Sequence, residues 1–395
     1  MSEYTHSLCA GPLARRARDI EPFHVMELLA RAHALEAQGR DIIHMEVGEP
    51  DFPTPPPVIA AAQAFLDQGY VRYTPALGLP ALREAIAAHY ARRFGVTIET
   101  ERIVVTAGAS GALLLALAAL TEPGDAWLLP DPGYPCNRHF VRAFEGVPTA
   151  LPVTAAAAFQ PTLAQVEGAW TPDTRGIIVA SPSNPTGTVI DTSTLDQIAQ
   201  FVGARKGALI VDEIYQGLTY DTPPHTALGG GTPTFVINSF SKYFGMTGWR
   251  LGWLVAPKAY VREIEKLAQH FFISPSTPAQ HAALAAFAPE CIAILESRRA
   301  AFARRREVLI DGLLALGFDI PARPAGAFYV YADVGGLSTD SFALAHRLLE
   351  EAGVAVTPGR DFGAQSPDRW LRFAYTTDEA RITEAIGRMA RVLAG

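Results

Sequence analysis

Short apolar runs alternate with longer segments of helical pattern from residue 41 to about residue 288. The runs are nearly continuous in apolar residues, as strands buried on both faces of a sheet should be. This alternation is typical of βαβ units, in which helices cover both faces of a mostly parallel sheet, and it predicts a doubly wound α/β fold. The predicted strands are residues 102–106, 126–130, 176–180, 208–212, 235–238 and 252–255, and the clearest predicted helices are residues 80–94, 110–120 and 192–205.

The pattern changes near Pro289, where a long helix with an arginine-rich stretch begins. A run at 326–331, a helix, a strand near Val354 and a last helix from Thr377 follow, which is the order of a smaller α+β unit. A chain of 395 residues is also too long for one ordinary hydrophobic core. We therefore expect a large domain at 51–288, a small domain at 289–395, and an N-terminal segment at 1–50 that supplies part of the small domain, through a helix within 21–38.

Charge and cysteine content argue against several classes of protein. The net charge is −7 and the basic clusters are short, so we expect binding to neither nucleic acid nor membranes. The three cysteines are widely spaced and no HExxH or CxxC pattern occurs, which predicts a reducing compartment and no metal site. Because neither a signal-peptide pattern nor an uninterrupted apolar stretch of about 18 residues is present, we expect a cytoplasmic protein.

The most informative segment is SFSKYFGMTGWR, residues 239–250, which follows directly on a predicted strand. Lys242 comes after Ser239 and Ser241 and lies eight residues before Arg250. A lysine that forms an imine must be partly desolvated or close to other cations, so that its amine is neutral. Two hydroxyl donors and the guanidinium fork of Arg250 suit a phosphate beside it. An exposed surface lysine is the alternative interpretation.

Two other strand ends carry groups suited to charged ligands. In residues 104–114 a strand passes through Gly108 into a helix that starts near Ser110, where free backbone amides and the helix dipole favour a phosphate. The segment matches neither GxGxxG nor GxxxxGK[ST], and such turns also occur for packing alone. The strand ALIVD ends in Asp212, which faces the ligand crevice of an open α/β sheet and could pair with a protonated pyridine nitrogen. A helix cap or a Mg²⁺ ligand are the alternatives for this acid.

The segment SPSNPTG, residues 181–187, also follows a predicted strand and holds Asn184 between rigid turn residues. Taken alone, Asn-Pro is an ordinary turn signal. The combination is more specific, because four loops that each follow a predicted strand supply an acid, an imine-capable lysine, an amide and a phosphate cradle.

In this order, SPSNPTG, VDEIY and SFSKYFGMTGWRLG resemble the motifs of the fold-type I aminotransferases of class I/II, which use pyridoxal 5'-phosphate (PLP). The run VGEPDFPT, residues 47–54, is similar to the bacterial subgroup of aspartate- and alanine-type enzymes. The resemblance covers nearly the whole chain. It implies PLP as the cofactor, an L-amino acid and a 2-oxo acid as substrates of a ping-pong transfer, and a homodimer with shared active sites.

The resemblance also implies which residues contact the cofactor ring. Lys242 would bond covalently to the PLP aldehyde, and Asp212 would pair with the pyridine nitrogen. Asn184 and Tyr215 would bind the phenolic oxygen, and Tyr134 would stack on the ring face. We therefore expect Lys242, Asp212 and Tyr215 to be the catalytic residues.

For the phosphate and the substrate, the resemblance implies a second group of residues. Tyr73 matches a tyrosine that in the family reaches the phosphate of the neighbouring subunit. Arg372 matches the arginine that clamps the substrate α-carboxylate, with help from Asn184 and the backbone of Gly48. The residues expected to hold the phosphate within one subunit are Gly108, Ala109, Ser110, Ser239, Ser241 and Arg250.

One departure from the family concerns the side chain of the substrate. Aspartate-using members of the subgroup carry a lysine where this chain has Ser110, and a serine cannot neutralise a distal carboxylate. We therefore do not expect strict aspartate specificity, unless Arg15 or Arg16 near the N-terminus supplies the missing charge.

Three other functions remain to be weighed. A PLP-dependent β-lyase acting on sulfur amino acids would use the same cofactor motifs, and it is the alternative function. An aminotransferase-like effector domain of a transcription regulator would need a basic DNA-binding domain ahead of Val47, where the chain leaves no room. A Rossmann dehydrogenase would need a glycine fingerprint that the sequence lacks.

Overall fold

The computed structural model describes residues 13–20 and 24–394. Its strands are Ile43–His44 (β1), Ile103–Thr106 (β2), Ala126–Asp131 (β3), Val147–Pro152 (β4), Thr174–Ala180 (β5), Ala208–Asp212 (β6), Phe235–Ser239 (β7), Gly252–Val255 (β8), Tyr329–Asp333 (β9), Val354–Ala355 (β10), Thr357–Pro358 (β11) and Trp370–Ala374 (β12). Its α-helices are Arg15–Asp19 (α1), His24–Glu36 (α2), Pro56–Leu66 (α3), Pro80–Phe94 (α4), Gly108–Leu120 (α5), Cys136–Ala143 (α6), Leu163–Ala169 (α7), Thr192–Ala204 (α8), Lys258–Phe271 (α9), Thr277–Leu284 (α10), Pro289–Ala315 (α11), Ser341–Arg347 (α12) and Glu379–Leu393 (α13).

A seven-stranded sheet in the order β2-β8-β7-β6-β5-β3-β4 forms the centre of the molecule. The strands from β4 to β7 pair in parallel, and β8 runs antiparallel to both β7 and β2. The predicted α/β fold with a mostly parallel sheet is therefore confirmed. Each predicted strand is present with bounds shifted by two residues or fewer. The edge strand β4 is not predicted, because its sequence VPTALP contains two prolines and half-exposed positions that break the apolar pattern.

Alternate residues of the central strands pack into two different cores. Ile177 and Val179 of β5 belong to one hydrophobic cluster, whereas Ile178 between them belongs to the cluster on the opposite face. Side chains alternate across a strand, so a strand covered on both faces must be apolar at consecutive positions. This is why these strands read as continuous apolar runs.

A second sheet is antiparallel, in the order β11-β12-β9, and it brings residues after 328 towards the central sheet. Arg372 lies in its middle strand, opposite Thr357 on one side and Tyr331 on the other. A short parallel pair joins β1 to β10, and α2 packs against β10 and β11. Helix α2, near the start of the chain, therefore lies against strands from its last part.

Two structural features are absent from the described ranges. Among these residues no helix combines the length and the apolar character that crossing a bilayer requires. In the same part of the chain, no group of three or more histidine, cysteine, aspartate or glutamate residues is placed to hold a metal ion.

Candidate active site

A cavity of about 290 Å³ opens where the carboxyl ends of β5, β6 and β7 approach the second sheet. Ligands bind at this edge of open α/β sheets because the strand ends and following loops leave a crevice there. The cavity brings together predicted residues from distant parts of the chain: Gly48, Ala109, Ser110, Tyr134, Asn184, Asp212, Tyr215, Ser239, Ser241, Lys242, Arg250 and Arg372.

Lys242 is partly buried just beyond the end of β7, and its Nζ donates a hydrogen bond of 2.7 Å to the carbonyl of Gly48. Burial lowers the pKa of this amine to about 8, because desolvation disfavours the charged form. The positive charges of Arg372 and Arg250 act in the same direction, whereas Glu49 opposes them. Lys242 is thus a lysine with an appreciable neutral fraction near neutral pH, as a nucleophilic amine requires.

Asp212 ends β6 with a side chain only 6% exposed. Burial raises the pKa of this carboxyl to about 6, although a hydrogen bond of 3.1 Å from the amide of Ile214 favours the ionised form. Among the described residues the cation that attracts this carboxylate is Lys242, and its effect on the pKa is smaller than that of burial. It is therefore suited to a cationic group of a ligand.

The amino end of α5 forms an anion site together with the loop after β7. Gly108 has a φ of +70°, and a Cβ there would lie 2.9 Å from Nη2 of Arg250, so glycine permits the close approach of the helix start to the guanidinium. The hydroxyl oxygens of Ser239 and Ser241 lie 2.9 Å apart beside it. Backbone amides at a helix start, two hydroxyls and a guanidinium together match a phosphate.

Arg372, in β12, lines the cavity from the second sheet. Its guanidinium is 6% exposed and donates to Asn184 Oδ1 at 2.9 Å, to Thr357 Oγ1 at 3.1 Å, and to the carbonyl of Glu46. Its Nε is buried and has no hydrogen-bond partner among the described residues. The guanidinium also lies over the ring of Tyr329, with 4.4 Å between its carbon and the ring centroid. A fixed arginine with an unsatisfied donor is suited to bind a carboxylate.

Sequence reasoning missed Tyr329, the first residue of β9. Its hydroxyl lies 2.8 Å from the hydroxyl of Tyr215, deep in the cavity. It also approaches Gly48 so closely that a Cβ on that residue would collide with the Tyr329 hydroxyl. The only sequence signal was an aromatic residue in an apolar run, which also describes an ordinary core position.

The turn that carries Tyr134 is tied to residues 361–365. Asp131 accepts a hydrogen bond of 2.9 Å from the amide of Ala364, and the amide of Gly133 donates to the carbonyl of Phe362 at 2.9 Å. Burial raises the pKa of the Tyr134 hydroxyl well above its ordinary value, so the ring remains neutral. The position of Tyr134 thus depends on the segment between β11 and β12.

Two predicted residues and one predicted alternative lie outside the cavity lining. Gly108 stands behind Ala109 at the helix start, and Tyr73 is 84% exposed on the surface. Arg16 pairs with Glu145 at 3.2 Å on the exterior, and the side chain of Arg15 lies outside the described residues. Arg16 therefore brings no charge into the described cavity.

The set of groups in the cavity fits PLP. The lysine suits an aldehyde, the buried acid suits a ring nitrogen, and the helix start with its serines and Arg250 suits a phosphate. Arg372, which also lines the cavity, then remains for a substrate carboxylate.

Comparisons with known proteins agree with this description. The family model for aminotransferases of class I and II matches residues 40–389. A valine–pyruvate aminotransferase of Mycobacterium tuberculosis is 41% identical over 94% of this chain and 96% of its own length. An aspartate/prephenate aminotransferase of Thermus thermophilus is 37% identical over 96% of this chain and 98% of its own.

Solved structures give the same result. The crystal structure of an aminotransferase from Mycobacterium tuberculosis superimposes with a TM-score of 0.94 at 40% identity, covering 97% of this chain and 99% of the other. Aspartate aminotransferase from Thermus thermophilus with maleate gives a TM-score of 0.91 at 36% identity, covering 97% and 100%. These names support amino-group transfer and give the β-lyase alternative no support. The chain is therefore a member of the class I and II aminotransferases, PLP-dependent enzymes that transfer an amino group between an amino acid and a 2-oxo acid.

Proposed function

We propose that this aminotransferase works through Lys242 and Asp212 at the cofactor and through Arg372 at the substrate. When bound, PLP supplies an aldehyde that takes up the amino group and a ring that withdraws electrons from the substrate Cα. The observation that carries the proposal is the pairing, in one cavity, of an amine of lowered pKa with a buried carboxylate.

Lys242 would hold the cofactor covalently between turnovers and act as the base at the substrate Cα. A base is most effective when its pKa lies near the working pH, and the pKa of about 8 meets that condition. Asp212, ionised above a pH of about 6, would hold the proton on the ring nitrogen through a charge-assisted hydrogen bond.

The other cavity residues would fix the orientation of cofactor and substrate. Arg372 would bind the α-carboxylate, with Asn184 and the backbone of Gly48 beside it, and Tyr134 would cover the ring. Asn184 and Tyr215 would donate to the phenolic oxygen. The phosphate would be held by Gly108, Ala109, Ser110, Ser239, Ser241 and Arg250.

The active form would be a homodimer in which Tyr73 reaches the phosphate of the neighbouring subunit. Its exposure of 84% supports this proposal, because a large aromatic residue so exposed is available to a partner. The division into a large domain at 51–288 and a small domain at 289–395 with part of 1–50 remains a proposal, as does the cytoplasmic location.

A half-reaction assay tests the proposed function. Holoenzyme mixed with an L-amino acid, without an acceptor, should convert to the amine form of the cofactor while releasing one equivalent of 2-oxo acid. Addition of a second 2-oxo acid should restore the original spectrum. Double-reciprocal plots of the steady-state rate against amino acid concentration, at several fixed concentrations of the 2-oxo acid, should be parallel, as ping-pong kinetics requires. In the control variant Lys242→Ala, the absorbance band of the lysine-bound cofactor should be absent. Continuous release of ammonia and 2-oxo acid without an acceptor would contradict the proposal.

A further inference from the structure

The cationic side chains of the cavity are all engaged by the proposed function. In the described part of the chain, the lysines and arginines that line the cavity are Lys242, Arg250 and Arg372. One would hold the aldehyde, one the phosphate and one the α-carboxylate. A second carboxylate on the substrate would therefore find no lysine or arginine of this lining to pair with.

Among the described lining residues, Asp361 is the acidic side chain that the proposed function leaves without a role. Asp361 lines the cavity, is 3% exposed, and accepts hydrogen bonds of 2.8 Å from the backbone amides of both His24 and Val25. The arginine beside it, Arg138, donates to the carbonyl oxygen of Asp361 at 3.1 Å and is not part of the lining. A distal carboxylate of the substrate would thus meet a like charge here.

The same side of the cavity is apolar. We call Val25, Met26 and Phe362 the side-chain wall, since all three line the cavity. Phe362 lies under the guanidinium of Arg372, with 4.8 Å between the guanidinium carbon and the ring centroid. The backbone amide of Val25 donates a hydrogen bond to the carboxylate of Asp361, the residue before Phe362. The wall therefore adjoins the place where the α-carboxylate would bind, within reach of the rest of the substrate.

We propose that the amino acid substrate carries an uncharged, apolar side chain, which packs against the side-chain wall. The inference rests on the proposed function, because it takes Arg372 as the site of the α-carboxylate. An apolar side chain is stabilised by leaving water against such a wall, whereas a carboxylate would lose its hydration without gaining a partner.

Binding of unreactive acids to the holoenzyme tests this inference separately from catalysis. Titration calorimetry would compare 4-methylpentanoate, a monocarboxylate with an apolar tail, with butanedioate, a dicarboxylate. We expect 4-methylpentanoate to bind at least about tenfold more tightly. Equal or tighter binding of butanedioate would overturn the inference, and would indicate that a cation outside the described lining pairs with the second carboxylate.

Substitutions of Met26 provide a matched pair of variants. Met26 lines the cavity and is 55% exposed, so a change there does not disturb the core. Met26→Lys should bind butanedioate about tenfold more tightly than the unchanged holoenzyme, because it adds the missing cation. Met26→Gln, similar in length but uncharged, should weaken binding of 4-methylpentanoate without this gain. Unchanged binding of both acids by both variants would contradict the position of the side-chain wall.

A single-turnover panel separates failure of this inference from failure of the proposed function. Leucine, valine and methionine should convert the bound cofactor to its amine form at least about tenfold faster than aspartate and glutamate. If aspartate and glutamate react as fast, the inference fails while the proposed function stands. If no amino acid reacts, the proposed function itself fails.

Discussion

Lys242 experiences opposing influences on its charge. Burial, Arg372 and Arg250 favour the neutral amine, whereas Glu49 and Asp212 favour the ammonium form, and the resulting pKa is about 8. The nearby arginines are also the groups proposed to bind the phosphate and the carboxylate, so the binding of those anions should raise the pKa of the amine. The charge state of this lysine thus depends on what occupies the cavity.

Capture of the aldehyde should reveal this pKa. Only the neutral amine attacks an aldehyde, so the rate at which cofactor-free protein captures PLP should rise about tenfold per pH unit below the pKa and level off above about 8. Stopped-flow absorbance between about pH 6 and pH 10 measures the profile, with Lys242→Ala as the blank. A midpoint near 10.4, the ordinary lysine value, would show that the amine is not desolvated.

Tyr329→Phe tests a residue that only the structure identified. The change removes the hydroxyl that lies 2.8 Å from that of Tyr215, and the loss of one hydrogen bond is worth about 1 kcal/mol. We expect kcat/KM to fall about fivefold. We also expect a shift in the pH at which the cofactor absorbance of the holoenzyme is half changed, because the hydroxyl of Tyr215 loses its hydrogen-bond partner. Tyr331→Phe, two residues along the same strand and outside the cavity lining, is the matched control and should leave the midpoint in place. No difference between the two variants would count against a role for Tyr329.

At the level of elements, strand ends explain which site residues could be found from sequence. An apolar run determines where β6 ends, and therefore that Asp212 lies at the edge of the sheet. The apolar runs of β5 and β7 likewise predict that Asn184 and Lys242 follow strand ends at this edge. Arg372 was assigned only by resemblance, because its position depends on the pairing of β12 with β9 and β11. Tyr329 and Asp361 were missed for the same reason, since their partners are more than a hundred residues away in the chain.

The start of α2 depends on a carboxylate from another element. Asp361 accepts from the amides of His24 and Val25, as an N-terminal capping side chain does. Asp361→Ala should remove this cap and destabilise the helix start by about 0.5–2 kcal/mol. Hydrogen exchange at these two amides should become faster.

Asp378→Ala provides the control for this prediction. Asp378 caps α13 by accepting from the amide of Arg381 at 2.8 Å, and it does not line the cavity. Its replacement should accelerate exchange at the start of α13 and leave α2 protected. If Asp361→Ala left the exchange of His24 and Val25 unchanged, the cap would not stabilise α2.

Exposed apolar side chains from two segments of the chain lie close together on the surface of the molecule. Tyr70, Val71 and Tyr73 are exposed on one segment, and Phe271 and Ile273 on another. The two segments are close together, because Thr277 Oγ1 donates to the carbonyl of Arg72 at 2.6 Å. Apolar surface gathered in this way is typical of a contact between proteins. It is consistent with the proposed homodimer, in which Tyr73 would serve the site of the other subunit.

Mixed dimers would show whether Tyr73 acts across the interface. Co-expressed Lys242→Ala and Tyr73→Phe chains should form hybrids in which one site combines both substitutions and the other has neither. Random pairing would then restore about a quarter of the unmodified activity, although Lys242→Ala alone is inactive. The control contains the two homodimers, purified separately, mixed in the same ratio and assayed before their subunits exchange. If Tyr73 served its own subunit, every site would carry one substitution, and the hybrids would show no activity beyond that of the Tyr73→Phe chains they contain.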